Sequence, residues 1–140
     1  MKVEKKAVRS GILKLEKNVQ ITLDEDMNVP DTRPDVEKII ESRGEVHIDE
    51  IEVLTDRMRL RGNFLVQILY LSTDKEQQIS CMEHEFSIEE FMNAEGAESS
   101  DIAKVTADLE DLTISIINSR KCGVRSVIYF HIAISEMKFV

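Results

Sequence analysis

The clearest pattern in the chain is an alternation of apolar and polar positions from Arg57 to Leu71. Its even positions are all apolar or glycine, in the order Met58, Leu60, Gly62, Phe64, Val66, Ile68 and Tyr70. Side chains two residues apart share one face of a β-strand, whereas a helix would scatter them around its circumference. The pattern therefore predicts a long core strand.

The odd positions divide the same stretch into two halves. They read Arg57, Arg59, Arg61, Asn63, Leu65, Gln67, Leu69 and Leu71. We expect this second face to be wet at its arginine end and covered at its leucine end.

A second alternating stretch follows 64 positions later. Its apolar or small residues are Cys122, Val124, Ser126, Ile128, Phe130, Ile132 and Ile134, and Arg125 corresponds to Arg61. Each long strand follows a shorter one, Val46 to Leu54 and Val105 to Ile116, whose alternation slips near Asp49-Glu50 and Glu110-Asp111. A slip of this kind indicates a β-bulge. The sequence thus predicts two similar long antiparallel hairpins, turning at Thr55-Asp56 and Asn118-Ser119, that face each other as two sheets.

Two segments favour helices. Residues 33–43 place Val36, Ile39 and Ile40 at helical spacing between Pro34 and Gly44, which predicts one short helix. Residues 87–92 begin with serine and carry glutamate three positions later, which predicts a capped helical turn.

Further strands are expected from Asn18 to Leu23 and from Ile79 to Phe86. Residues 1–16 are interpreted as an N-terminal extension and residues 17–140 as a single domain. The predicted fold class is mainly β, a β-rich α+β domain.

The chain has 140 residues, a formal net charge of −9 and a pI near 4.9. This charge would repel a phosphate backbone, so nucleic acid is not expected as a partner. No apolar run reaches the roughly 20 residues of a membrane-spanning helix. The N-terminus leads into no signal-peptide apolar region, so the expected compartment is the cytoplasm.

Catalytic, metal and cofactor chemistry is not indicated. The three histidines, His47, His84 and His131, have no repeated cysteine or carboxylate partners at metal-site spacing. Cys81 and His84 would project from opposite faces of a strand, and no phosphate loop or nucleophile elbow is present. Cys81 and Cys122 are expected to stay as thiols. We expect a protein that is not an enzyme, with no cofactor.

The most informative polar group is an arginine set: Arg57, Arg59 and Arg61 on one strand face, with Arg120 and Arg125 on the matching hairpin. A basic patch on an acidic protein would suit the carboxylates or phosphates of a partner. The plainer alternative is cross-strand pairing with acidic neighbours such as Asp49, Glu50 and Glu52.

Several motifs resemble the SPOCS domain family of spore-coat assembly proteins of the SipL type. They are Pro30-Asp31, the run from Arg33 to Ile40, the run from Val53 to Gly62, Gln67 to Tyr70, Asn118 to Lys121, and Val124 to Ile128. The similarity extends over roughly residues 17 to 135. Nothing after Phe86 is similar to the LysM domain that follows SPOCS domains in this family, so we expect a fragment or a single-domain relative.

The resemblance implies a non-enzymatic interaction module for building the spore envelope, recruiting or docking a morphogenetic coat ATPase. The module would act in the mother cell at the forespore surface. The sequence leaves open whether it forms a homo-oligomer. The main alternative is a small-ligand binding module with a pocket between the hairpins near Tyr70 and Tyr129. A weaker one is a hydrolase whose site assembles only in space.

Overall fold

The computed structural model describes the backbone of residues 9–139 and the side chains of residues 11–137. Six β-strands make up most of this part of the chain. They are β1 (Arg9–Asn28), β2 (Val36–Leu54), β3 (Arg57–Ser72), β4 (Ile79–Asn93), β5 (Ile102–Asn118) and β6 (Lys121–Phe139).

The strands form two antiparallel sheets of three strands each, in the orders β1-β6-β5 and β2-β3-β4. The central strands β3 and β6 direct their even positions into one shared core, where Phe64, Tyr70 and Phe130 are fully buried. Strands β2 and β5 adjoin across the two sheets at Gly44 and Leu109. The predicted long core strand, the two hairpins and the two antiparallel sheets are confirmed.

The two halves of the chain exchange their first strands. The first half, β1 to β3, and the second half, β4 to β6, each consist of one strand, a crossover and a hairpin. Strand β1 pairs with β6 of the second half, and β4 pairs with β3 of the first half. The crossover hydrogen bonds match as well, since Val29 N donates to Arg120 O and Ala94 N donates to Asp56 O, both at 2.9 Å. The two donors, Val29 and Ala94, are 65 positions apart, and the two acceptors, Asp56 and Arg120, are 64 positions apart. The repeat seen in the hairpins therefore includes the crossovers that follow the first strands.

The predicted helix over residues 33–43 is wrong, because this segment enters β2. Two register shifts lie close together, between Val36 and Lys38 and between Ile39 and Glu41. Each register shift moves the positions that face the core by one residue. Two shifts in one strand can therefore produce the three- and four-residue spacing that is typical of a helix. Ile40, expected to be buried, is 50% exposed.

The predicted helical turn at residues 87–92 is also wrong. This segment continues β4 and pairs with the first half of β3, from Met58 with Met92 to Gly62 with Ile88. Ile88 and Met92 are buried at period 2, and the ladder to β3 outweighs the local capping signal. Residues 9–139 contain no helix, and hence none able to cross a membrane.

The predicted bulges and the first turn agree with the structure. Register shifts fall between Ile48 and Glu50 and between Leu109 and Asp111. Asp56 has a φ of 61° in the β2–β3 turn.

Strand β1 is longer than expected. It begins at Arg9, which pairs with Phe139, whereas the sequence indicated a strand from Asn18. Part of the proposed extension 1–16 is therefore strand, and its first eight residues lie outside the described residues.

Candidate functional site

Arg59 lies at the centre of a cross-strand charge network on the outer face of β3. Its guanidinium contacts Glu89 at 2.8 Å, Glu50 at 3.0 Å and Glu52 at 3.7 Å, so it joins β3 to both neighbouring strands. The hydrogen bond to Glu89, followed by the charges of Glu89 and Glu50, raises the pKa of Arg59 above its ordinary value. For this residue the pairing alternative describes the structure.

Arg57 and Arg61 flank Arg59 on the same face. Arg61 is 3.4 Å from Glu50 and thus shares a carboxylate with Arg59. Arg57 lies over the ring of Phe91, 5.6 Å from its centroid, and Phe91 itself is 56% exposed. Because the Phe91 ring carries no formal negative charge, this contact does not neutralise the charge of Arg57.

Arg125 does not join this row. It occupies an outward position of β6, between Asp24 of β1 and Thr113 of β5, on the opposite side of the two-sheet sandwich. The correspondence of Arg125 with Arg61 thus follows the internal repeat and does not bring the two side chains together.

Arg120, the remaining member of the arginine set, makes crossover contacts that the sequence did not indicate. Its guanidinium donates to the carbonyl oxygens of Arg33 at 2.7 Å, Pro30 at 2.9 Å and Val29 at 3.2 Å, and pairs with Asp35 at 3.1 Å. It therefore ties the β1–β2 crossover to the β5–β6 turn. The planar guanidinium fork suits several acceptors at once. No local motif signals this contact, because its partners precede it by 85 to 91 positions.

Asp101 forms a buried ion pair at the other crossover. Lys14 Nζ lies 2.8 Å from Asp101 Oδ2, and the Asp101 side chain is 1% exposed. The backbone N–H of Glu98 donates to the same carboxylate at 2.9 Å. The hydrogen bond from Lys14, supported by that of Glu98, lowers the pKa of Asp101, although burial opposes the shift.

This ion pair predicts a defined pH dependence of stability. Because the pKa of Asp101 is lower in the folded state, its stabilising contribution is present above the unfolded-state pKa, about 3.9, and is lost as pH falls through the folded-state value. We expect Asp101→Asn to be less stable than wild type at neutral pH and to lose less stability on acidification. Urea midpoints measured from neutral pH to about pH 3 check this. Asp31→Asn, which removes an exposed carboxylate, is the control. Parallel pH curves for Asp101→Asn and wild type would contradict the assignment.

The outer face of the β1-β6-β5 sheet carries a second polar network. His131 contacts Asn18 at 2.8 Å and Asp108 at 3.0 Å, and Tyr129 donates to Gln20 at 3.0 Å. A groove of about 420 Å³ lies beside His131 and is open to solvent. These contacts complete cross-strand pairs and form no nucleophile–base arrangement.

The two tyrosines of the alternative ligand pocket lie apart. Tyr70 is buried in the core, where its hydroxyl donates to Pro34 O at 2.8 Å, whereas Tyr129 lies on an outer face. Core side chains fill the space between the two hairpins.

The described residues hold no group of three or more His, Cys, Asp or Glu side chains arranged to bind a metal. Cys81 is exposed and Cys122 is buried, both as free thiols, and burial raises the pKa of Cys122.

The fold and surfaces define a class: a two-sheet β-sandwich domain whose described polar groups lie in surface networks and crossover contacts. A family model described as SipL, SPOCS domain, matches residues 35–117, which is more than half of the chain. The chain therefore belongs to the SPOCS domain family, as the sequence motifs indicated. Neither a curated protein nor a solved structure matched it.

Proposed function

We propose that this domain is a non-enzymatic protein-interaction module in the assembly of the bacterial spore envelope. Its role is to dock a morphogenetic coat protein, of the ATPase type, at the forespore surface in the mother cell. The observation that carries the proposal is the SPOCS family match over residues 35–117.

The architecture supports this role. Each sheet has two edge strands, and an edge strand offers backbone groups to a partner strand. The broad outer faces carry charged side chains of both signs, which suit recognition by surface complementarity. The arginine row contributes in a narrower form than the sequence suggested, with Arg57 and Arg61 as exposed cations and Arg59 as the centre of the charge network.

A pull-down from sporulating cells tests the proposal. Wild-type domain is compared with Arg57→Gln/Arg61→Gln, which leaves Arg59 in its network, and with Arg125→Gln on the opposite face. We expect wild type to enrich a coat morphogenetic protein, the double variant to enrich it several-fold less, and Arg125→Gln, on the opposite outer face, to match wild type. A bait that folds normally and enriches no coat protein would contradict the proposed function. Equal enrichment by the wild type and the double variant would instead exclude the arginine row as the interface.

A further inference from the structure

The outer face of β3 becomes apolar beyond Asn63. Leu65, Leu69 and Leu71 occupy its outward positions, and the register places Cys81 opposite Leu69 and Ile79 opposite Leu71. We call the surface formed by Leu65, Leu69, Leu71, Ile79 and Cys81 the leucine end.

Leu69, Ile79 and Cys81 of the leucine end are exposed and Leu65 and Leu71 are half-buried, although the sequence predicts that this end should be covered. Leu69 is 38% and Ile79 is 62% exposed. Single exposed apolar residues are common, but adjacent cross-strand pairs on an outward face form a contiguous patch of the kind found at interaction sites. A depression of about 230 Å³ opens beside Leu69 and Cys81 and adds relief to this surface.

The β4 border of the leucine end is acidic, with Glu85 in register with Leu65 and Glu83 in register with Gln67. The β2 border carries charges of both signs, with Glu45 in register with Leu65, Arg43 with Gln67 and Lys38 with Leu71. Glu83 accepts a hydrogen bond from Gln67 at 3.3 Å, and Glu45 lies 3.5 Å from His47. Within residues 11–137 these three glutamates form no ion pair with lysine or arginine, unlike those around Arg59. The β4 border, formed by Glu83 and Glu85, is therefore acidic and available to external cations.

We propose that the leucine end docks an amphipathic helix of a protein partner. The helix would place aliphatic side chains over Leu69 and Ile79, and its flanking lysine or arginine residues would contact Glu83 and Glu85. The inference rests on the proposed function, because it assigns the docking surface and the chemistry of the partner.

The structure favours this occupant over others. The backbone groups of β3 are paired on both sides, so recognition at this face must use side chains, as in helix docking, and not strand addition. Glu83, Glu85 and the net charge of −9 would repel a nucleic acid or an anionic lipid surface.

The first test uses model peptides and the intact, isotope-labelled domain. A Leu/Lys peptide of about 18 residues with helical amphipathic spacing is titrated and followed by amide chemical shifts. We expect shift changes centred on Leu69, Leu71 and Ile79, weakened by salt, and none with a matched Leu/Glu peptide. Shift changes centred elsewhere, or equal binding of both peptides, would overturn the inference.

Two variants complete the titration. In Leu69→Ser/Ile79→Ser we expect the peptide Kd to rise about tenfold or more, whereas Phe91→Ser, which removes an exposed apolar side chain from the arginine end, should leave it unchanged. Urea denaturation confirms that each variant is folded. An unchanged Kd in the double variant would overturn the inference. So would wild-type self-association at the leucine end, detected by sedimentation and abolished by the double variant.

The pull-down separates this inference from the proposed function. If Leu69→Ser/Ile79→Ser still captures the coat protein, the leucine end is not the docking surface and the proposed function stands. If wild type captures no coat protein, the proposed function fails, whatever the peptide titration shows.

Discussion

Gly62→Ala is expected to lower the free energy of unfolding by about 3 kcal/mol or more, or to prevent folding. A Cβ at this position would collide with the carbonyl oxygen of His47 and lie 3.1 Å from Ile48 Cα. Both are backbone atoms of β2, beside the register shift between Ile48 and Glu50, so no side-chain rotation relieves the overlap. Urea denaturation followed by far-UV circular dichroism measures the effect.

Gly123→Ala is the matched control, because it changes a glycine in β6, the counterpart of β3. There the added Cβ would lie 2.8 Å from Ser115 Oγ, a side-chain atom that can rotate away. We expect a cost of less than about 1 kcal/mol. Equal destabilisation by the two substitutions would show that the close approach of β2 and β3 at Gly62 does not limit the fold.

Arg120→Ala is expected to destabilise the domain by about 2–3 kcal/mol. The substitution removes donors from three crossover carbonyls and the partner of Asp35. The β1–β2 crossover then keeps its backbone hydrogen bonds to the β5–β6 turn, from Val29 N to Arg120 O and from Val36 N to Ser119 O, but loses the side-chain contacts. Arg120→Lys keeps the charge but loses the fork, so its loss should be intermediate.

The control for Arg120 is Arg43→Ala. Arg43 is a 76% exposed side chain that pairs with Glu41 on the same strand, and exposed pairs of this kind contribute little. Urea midpoints should therefore rank wild type with Arg43→Ala, then Arg120→Lys, then Arg120→Ala. If Arg120→Ala matches Arg43→Ala, the contacts of the Arg120 guanidinium with the β1–β2 crossover do not contribute to stability.

The sequence predicts the central part of the fold well, because the period-2 pattern of β3 and β6 is uninterrupted and their inward faces are fully buried. It fails where bulges disturb the period. Two shifts within β2 imitate a helical stripe at Val36, Ile39 and Ile40, and only the pairing with β3 reveals the strand.

The candidate site shows a similar division. The alternatives for Arg59 are visible in the sequence, since acidic residues are abundant, but the choice depends on the register that aligns Glu52, Arg59 and Phe91 across three strands. The separation of Arg125 from the arginine row depends on which sheet each hairpin joins. The role of Arg120 depends on a crossover far away in sequence, which no local pattern encodes.

At the leucine end the predicted burial and the observed exposure of side chains differ. The sequence predicts a covered surface, and the structure leaves Leu69 and Ile79 exposed beside unneutralised carboxylates. An interaction module accounts for both observations, because the cover would come from the partner.

The most direct test of the account is a quantitative pull-down from sporulating cells with three folded baits: wild type, Arg57→Gln/Arg61→Gln and Leu69→Ser/Ile79→Ser. The account predicts that wild type enriches a coat morphogenetic protein, that the leucine-end variant loses most of this enrichment, and that the arginine variant captures several-fold less than wild type. Absence of any coat protein from the wild-type capture would contradict the central claim that this SPOCS domain docks a partner in spore-envelope assembly.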